Sequence, residues 1–205
     1  MTGLRSYGDP CGIARALDIV GERWALLIVR ELSYGSKRFS DLRVSLGLSP
    51  NVLTQRLGEL EEHGVVQRRT TGGAVYELTD WGRGLHPILV RLGLWGAGAP
   101  HHPTGELSVD ALLLALEATF VPEKSSELRA TYELRLGEER FIVDVGDGSI
   151  AVMRGSPRNP DVVIETDPAT LRSVVFGDQP LNGAAVELRG DARKARAFFR
   201  LFARP

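Results

Sequence analysis

Cysteine is nearly absent. Cys11 stands alone among 205 residues, which excludes an internal disulfide and a disulfide-built secreted scaffold. Histidine is sparse as well. With none after His102, residues 103–205 have no imidazole for acid–base chemistry. No apolar run approaches the ~20 residues needed to cross a bilayer. The opening "MTGLRSYGDP" lacks the apolar core of a signal peptide. A cytoplasmic protein with no membrane partner is therefore expected. Neither a phosphate-cradling glycine loop nor a Cys/His metal quartet occurs. Asp144 and Asp147 fit turn or strand-face positions, and the His101-His102 pair fits a solvated linker. No catalytic group, metal or cofactor is expected, and the chain does not read as an enzyme.

A charge excess of one sign is also missing. The net charge is -1, so the whole chain is not drawn to a polyanion. The halves differ slightly: residues 1–100 hold 12 Lys/Arg against 10 Asp/Glu, and residues 101–205 hold 13 against 16. Where cations cluster matters more than this balance.

The hydrophobic content of 43% is arranged in two styles. Before "GAGAPHHPTGE" (Gly96–Glu106), apolar residues recur at three and four; after it, they alternate. That Gly/Pro-rich stretch reads as a linker. The expected organisation is a mainly α domain over 1–98, a linker over 99–107 and an α+β domain over 108–205.

In the first half, Ile13, Leu17, Val20, Trp24, Leu27 and Ile28 describe an amphipathic helix broken near Gly21. Phe39, Leu42 and Leu46 share a face of a short helix that Gly47 ends. Ser49 is a suitable N-cap and Pro50 suits the first helical position. Leu53, Leu57 and Leu60 line the next helix, which His63-Gly64 stops. "VVQRRTTGGAVYEL" follows as a hairpin about Gly72-Gly73. Thr79 caps a last helix with an apolar stripe of Trp81, Leu85, Ile88, Leu92 and Trp95.

Helix, tight turn, helix and hairpin is the winged helix-turn-helix order, in which the second helix enters the major groove of double-stranded DNA. With the leucines inward, that helix turns Asn51, Thr54 and Gln55 outward. Asn and Gln amides bond adenine N6 and N7 bidentately, contributing about 1–3 kcal/mol of discrimination. Lys37, Arg38, Arg56, Arg68 and Arg69 flank this surface as expected phosphate contacts, with Ser49 at the helix start. A polar helix face also serves as a plain solvated face, and winged helices mediate protein contacts too. A small-molecule or lipid-binding protein with such an interaction module is the alternative.

Residues 11–96 resemble the HxlR-type family of bacterial winged-helix regulators. The pieces are Cys11, "DIVGERWALLIVRELSYGSKRFSDLR" (Asp18–Arg43), "LSPNVLTQRLGELEEHGVVQRR" (Leu48–Arg69), "YELTDWGRGL" (Tyr76–Leu85) and "LGLWG" (Leu92–Gly96). The resemblance implies a homodimeric transcription regulator, here expected to be a repressor, with terminal helices building the dimer. Its two reading helices would then lie about 34 Å apart on a pseudo-palindromic operator. Some similar proteins sense oxidants through the cysteine matching Cys11. A helix start beside Cys11, with Arg15 one turn on, suits a lowered thiol pKa. The other reading of Cys11 is a small half-buried apolar residue.

In the second half, "VDALLLALEATF" (Val109–Phe120) has almost no polar face and must be deeply buried or line an apolar space. "LRATYELRL" alternates, with Leu128, Ala130, Tyr132, Leu134 and Leu136 inward and Arg129, Thr131, Glu133 and Arg135 outward. The turns "GEE" and "GDGS" extend it into a three-strand meander. "DVVIET" and "AVELRG" add two strands, and helices capped by Asp167 and Asp191 follow them. The prediction is an antiparallel sheet covered by helices. "FIVDVGDGSIAVMRG", "NPDVVIETDPATLRSVVFGD" and "AAVELRGDARKARAFFRLF" resemble the sterol carrier protein type-two fold. That resemblance implies a cavity for a hydrophobic small-molecule effector. Leu113, Leu116, Phe120, Val174, Phe176, Phe198 and Phe202 are its candidate walls. The basic face of the last helix (Arg193, Arg196, Arg200, Arg204) reads as solvated.

Overall fold

A computed structural model describes residues 6–70, 73–100 and 105–204. The chain divides into two compact units, Met1–Leu89 and Val90–Pro205. The His101-His102 pair lies outside the described residues, as does Gly72 of the hairpin turn.

The first unit opens with α1 (Gly12–Val20) and α2 (Ala25–Leu32). The break between them falls at Gly21–Trp24, as the sequence predicts, and Trp24 takes the left-handed φ of 81°. Val20, Ala25, Ile28, Val29 and Leu32 are buried, whereas Ile13 and Leu17 remain exposed. A two-residue strand, β1 (Lys37–Arg38), leads into α3 (Phe39–Leu46). Gly47 ends α3 with φ 63°, a conformation that costs a side-chain-bearing residue about 1–2 kcal/mol. Then α4 (Pro50–Glu62) begins behind Ser49, whose Oγ accepts from the Val52 N–H at 3.5 Å. Leu53, Leu57 and Leu60 are at most 1% exposed, so burial fixes which face of α4 looks out.

Strands β2 (Val66–Arg69) and β3 (Val75–Leu78) pair antiparallel, and β1 joins β3 on its other side, giving the order β1-β3-β2. The expected last helix is two pieces, α5 (Asp80–Arg83) and α6 (His86–Ala97). Thr79 caps α5 by accepting from the Gly82 N–H at 3.0 Å, while its hydroxyl donates to the Gly64 carbonyl at 2.6 Å. A Cβ at position 82 would run into the Val65 carbonyl, so glycine lets α5 close onto the base of β2. Of the apolar stripe, Trp81, Ile88, Leu92 and Trp95 are exposed, Trp95 to 79%.

In the second unit, α7 (Val109–Thr119) is buried along most of its length, as its composition demands. Strands β4 (Ala130–Leu136), β5 (Glu139–Gly146) and β6 (Ser149–Arg154) form the meander. The β5–β6 turn has positive φ at both Asp147 and Gly148, which suits the twist of a two-residue hairpin. Strand β7 (Val162–Thr166), α8 (Pro168–Val175), β8 (Glu187–Gly190) and α9 (Ala192–Phe198) complete the chain. Asp167 and Asp191 cap their helices as the sequence predicts.

The sheet order is β6-β5-β4-β7-β8. It is mixed rather than wholly antiparallel, because β7 pairs with β4 in parallel. The meander already occupies one edge of β4, and β7 takes the other edge after the connection through residues 155–161. Edge strand β8 is exposed along its whole length. Glu133 also departs from expectation. It is 6% exposed and held by Arg135 Nη2 at 2.9 Å, while Nη1 of the same guanidinium reaches Glu165 at 3.2 Å. Burial alone would raise its pKa. Hydrogen bonds from Arg135 and Ser156, with the charges of Arg135 and Arg140, outweigh burial and hold the carboxyl below its ordinary range. The core between sheet and helices is filled by Tyr132, Phe141, Leu112, Leu113, Leu116 and Phe198.

Candidate nucleic-acid interface

The leucine face of α4 is sealed, so its opposite face is presented. Asn51, Thr54 and Gln55 are all exposed there, within the first half of the helix. They bring amide donors and acceptors together with a hydroxyl on one surface. At its start, Pro50 occupies the first helical position and leaves no wasted N–H.

The flanking cations divide into two groups. Arg38 and Arg68 are exposed, and no ion pair engages either guanidinium among the described residues. Lys37 differs from its expected role. Its Nζ lies 2.8 Å from Glu31 Oε2, and Glu31 is fully buried, with Arg30 on its other oxygen at 2.9 Å. A carboxylate at 0% exposure requires such partners, and this one ties β1 to α2. Arg56 is likewise drawn inward, 17% exposed, between Glu22 and Glu59. Arg69 pairs across the hairpin with Glu77 at 3.3 Å. Three of the expected phosphate contacts are thus engaged by the protein's own carboxylates. Spacing within α4 allows the Arg56–Glu59 pair, but not the capture of Lys37 by Glu31 of α2 or of Arg56 by Glu22 in the break between α1 and α2.

Cys11 is exposed at the N-cap of α1. Its thiol makes no cap hydrogen bond of good geometry. The Ile13 and Ala14 backbone N–H groups nevertheless hold its pKa below the ordinary thiol value.

The candidate wall residues of the second unit are only partly brought together. An open groove of about 660 Å³ has Val174, Val175, Phe199 and Phe202 along it, with Lys124, Arg200 and Arg204 among its lining. Val174 and Phe202 are the two expected members. Leu113, Leu116 and Phe198 are fully buried and fill the core instead. Phe120 and Phe176 are half-buried outside the groove lining. Phe199 and Val175 line the groove in addition to the expected walls, with Phe198 buried and Phe199 half-buried. Arg204 is bound to Asp178 at 3.0 Å. Among the described residues, no three His, Cys, Asp or Glu side chains cluster as a metal site, and no helix is long and apolar enough to cross a membrane.

Residues 19–102 match the model of the HxlR-like helix-turn-helix family, and residues 112–203 match that of the SCP-2 sterol transfer family. The uncharacterized HTH-type transcriptional regulator YvaP of Bacillus subtilis strain 168 is 45% identical over 86 residues, covering 40% of this chain and 80% of YvaP. Rv3095 of Mycobacterium tuberculosis strain H37Rv, also an uncharacterized HTH-type transcriptional regulator, is 38% identical over 109 residues, covering 46% of this chain and 69% of its own. The crystal structure of the HTH-type transcriptional regulator ytcD is 36% identical, covers 42% of this chain and 94% of its own, and superposes with a TM-score of 0.40.

Proposed function

Because the chain belongs to the HxlR-like helix-turn-helix family of transcription regulators, with an SCP-2-like domain following, we propose that it is a dimeric, sequence-specific DNA-binding repressor. Residues 1–98 serve as the DNA-binding and dimerisation domain, and residues 108–205 take up a hydrophobic effector. The observation carrying this reading is the division of α4: leucines sealed on one face, Asn51, Thr54 and Gln55 open on the other. The amides of Asn51 and Gln55 read base edges, with Thr54 beside them. Arg38, Arg68 and the N-terminus of α4 at Ser49 hold phosphates, which supplies affinity without sequence.

The exposure of the large apolar side chains Trp81, Ile88, Leu92 and Trp95 supports dimerisation. The effector occupies the groove bearing Val174, Phe199 and Phe202. An effector acts only by binding one dimer geometry more tightly than another; typical coupling is about 1–3 kcal/mol.

Selection from a random duplex pool with the full chain tests the reading. One preferred pseudo-palindromic sequence is expected, with affinity falling steeply as salt rises. Asn51→Ala and Gln55→Ala should each relax preference at one base pair by roughly fivefold or more. Absence of any preferred duplex, or salt-independent retention, would leave the winged helix as a protein-contact module.

A further inference from the structure

We propose that Glu59 is a positioning residue for sequence reading: it fixes the side-chain amide of Gln55 in the orientation that selects adenine over guanine. This rests on α4 being the helix that enters the major groove. Gln55 Nε2 donates to Glu59 Oε1 at 3.0 Å. A carboxylate only accepts hydrogen bonds, so the amide nitrogen must face it and the amide oxygen must turn away. One N–H and Oε1 of Gln55 then remain for the outside. Adenine offers N7 as acceptor and N6–H as donor, which match that pair. Guanine offers two acceptors, N7 and O6. Gln can satisfy both only by donating both amide hydrogens, and one is already committed to Glu59.

Glu59 is itself held. Its other oxygen accepts from Arg56 Nη1. Arg56 Nη2 lies 3.2 Å from Glu22 Oε2, in the corner between α1 and α2 beside Trp24 with its φ of 81°. The Arg56 side chain is 17% exposed, and its Nε is buried without a partner among the described residues. A guanidinium in that state is retained by its two carboxylates rather than waiting in solvent for a phosphate. The four side chains form one line, Glu22–Arg56–Glu59–Gln55, running from the corner to the reading face. Arg56 and Glu22 act through Glu59.

The test uses the duplex selected by the wild-type chain and the same duplex with A·T replaced by G·C at the position where Gln55→Ala abolishes preference. The quantity read is the ratio of the two dissociation constants. Wild type should favour A·T by roughly tenfold or more. In Glu59→Gln, the partner amide can accept or donate, Gln55 adopts either orientation, and the ratio should fall at least about threefold, chiefly through tighter binding of the G·C duplex. Glu22→Gln should move the ratio in the same direction by less. Within Gln55→Ala, adding Glu59→Gln should leave the ratio unchanged. A purely structural role for Glu59 would weaken both duplexes equally and keep the wild-type ratio, which overturns the proposal while DNA reading by α4 stands. A wild-type chain without a preferred duplex would remove the DNA reading and the proposal together. If Gln55→Ala alters no position of a duplex that the chain does prefer, Gln55 is not the reader and only the Glu59 proposal falls.

Discussion

At Cys11, backbone geometry acts on one thiol. The residue sits outside the first turn of α1, where the Ile13 and Ala14 N–H groups still lack helical partners and favour the thiolate. The folded chain should therefore react with iodoacetamide along a pH profile whose midpoint lies below the ~8.5 of an ordinary cysteine thiol. In urea the midpoint should return to that value, since the cap no longer exists. Coincident profiles in both states would show that the α1 amides do not reach the sulfur. Glu31 and Glu133 present the opposite problem, carboxylates with almost no access to water. Each is held by a guanidinium or ammonium: Glu31 by Arg30 and Lys37, Glu133 by Arg135. Removing Arg135 would leave the Glu133 carboxylate buried without its ion-pair partner, the costlier way to break such a pair.

At the scale of elements, Asp161 joins β4, β7 and α9. Its carboxylate accepts from Lys194 Nζ at 2.6 Å and from the Thr131 N–H at 2.8 Å. The Lys194 hydrogen bond is the main cause of its lowered pKa, with the Thr131 N–H next. A depressed folded pKa contributes stability above the unfolded value near 3.9 and loses it as pH falls through the folded value. Asp161→Asn should therefore lower Tm at pH 7, and the gap from wild type should close as pH drops below about 4. A gap independent of pH would mean that packing, not charge, makes the difference. Elements of this kind differ in how plainly the sequence announces them. Ser49-Pro50 and Asp167-Pro168 are legible because cap and first-turn chemistry lie in adjacent residues. Strand β1 is not, since two residues cannot alternate. The parallel β4–β7 pairing is hidden too, because alternation reports which face is buried and not which way the neighbouring strand runs. In the candidate interface, the outward trio on α4 follows from helical periodicity alone. The capture of Lys37 by Glu31, and of Arg56 by Glu22, depends on where β1 meets α2 and where α4 meets the break after α1.

For the whole molecule, the exposure of Trp81 at 59%, Ile88 at 57% and Trp95 at 79% calls for a partner. A second copy of the chain is the expected occupant under the proposed function. Sedimentation of the full chain at micromolar concentration should give a dimer, and Ile88→Glu with Trp95→Glu should give a folded monomer. That monomer should bind the selected duplex about 100-fold more weakly or worse, because two linked half-site contacts become one. A wild-type monomer, or a monomeric variant with undiminished affinity, would end the two-copy reading.

The open end of the β-sheet carries its own protection. Along β8, Glu187 and Arg189 project as opposite charges bonded to each other at 2.8 Å, two residues apart on one side of the strand. A foreign strand laying itself beside them must match a negative and a positive group in fixed succession, or strip water from both for no return. Misregistered pairing is thereby discouraged where four residues of backbone are otherwise on offer. The pair guards the β8 edge of a five-stranded sheet whose other edge is β6.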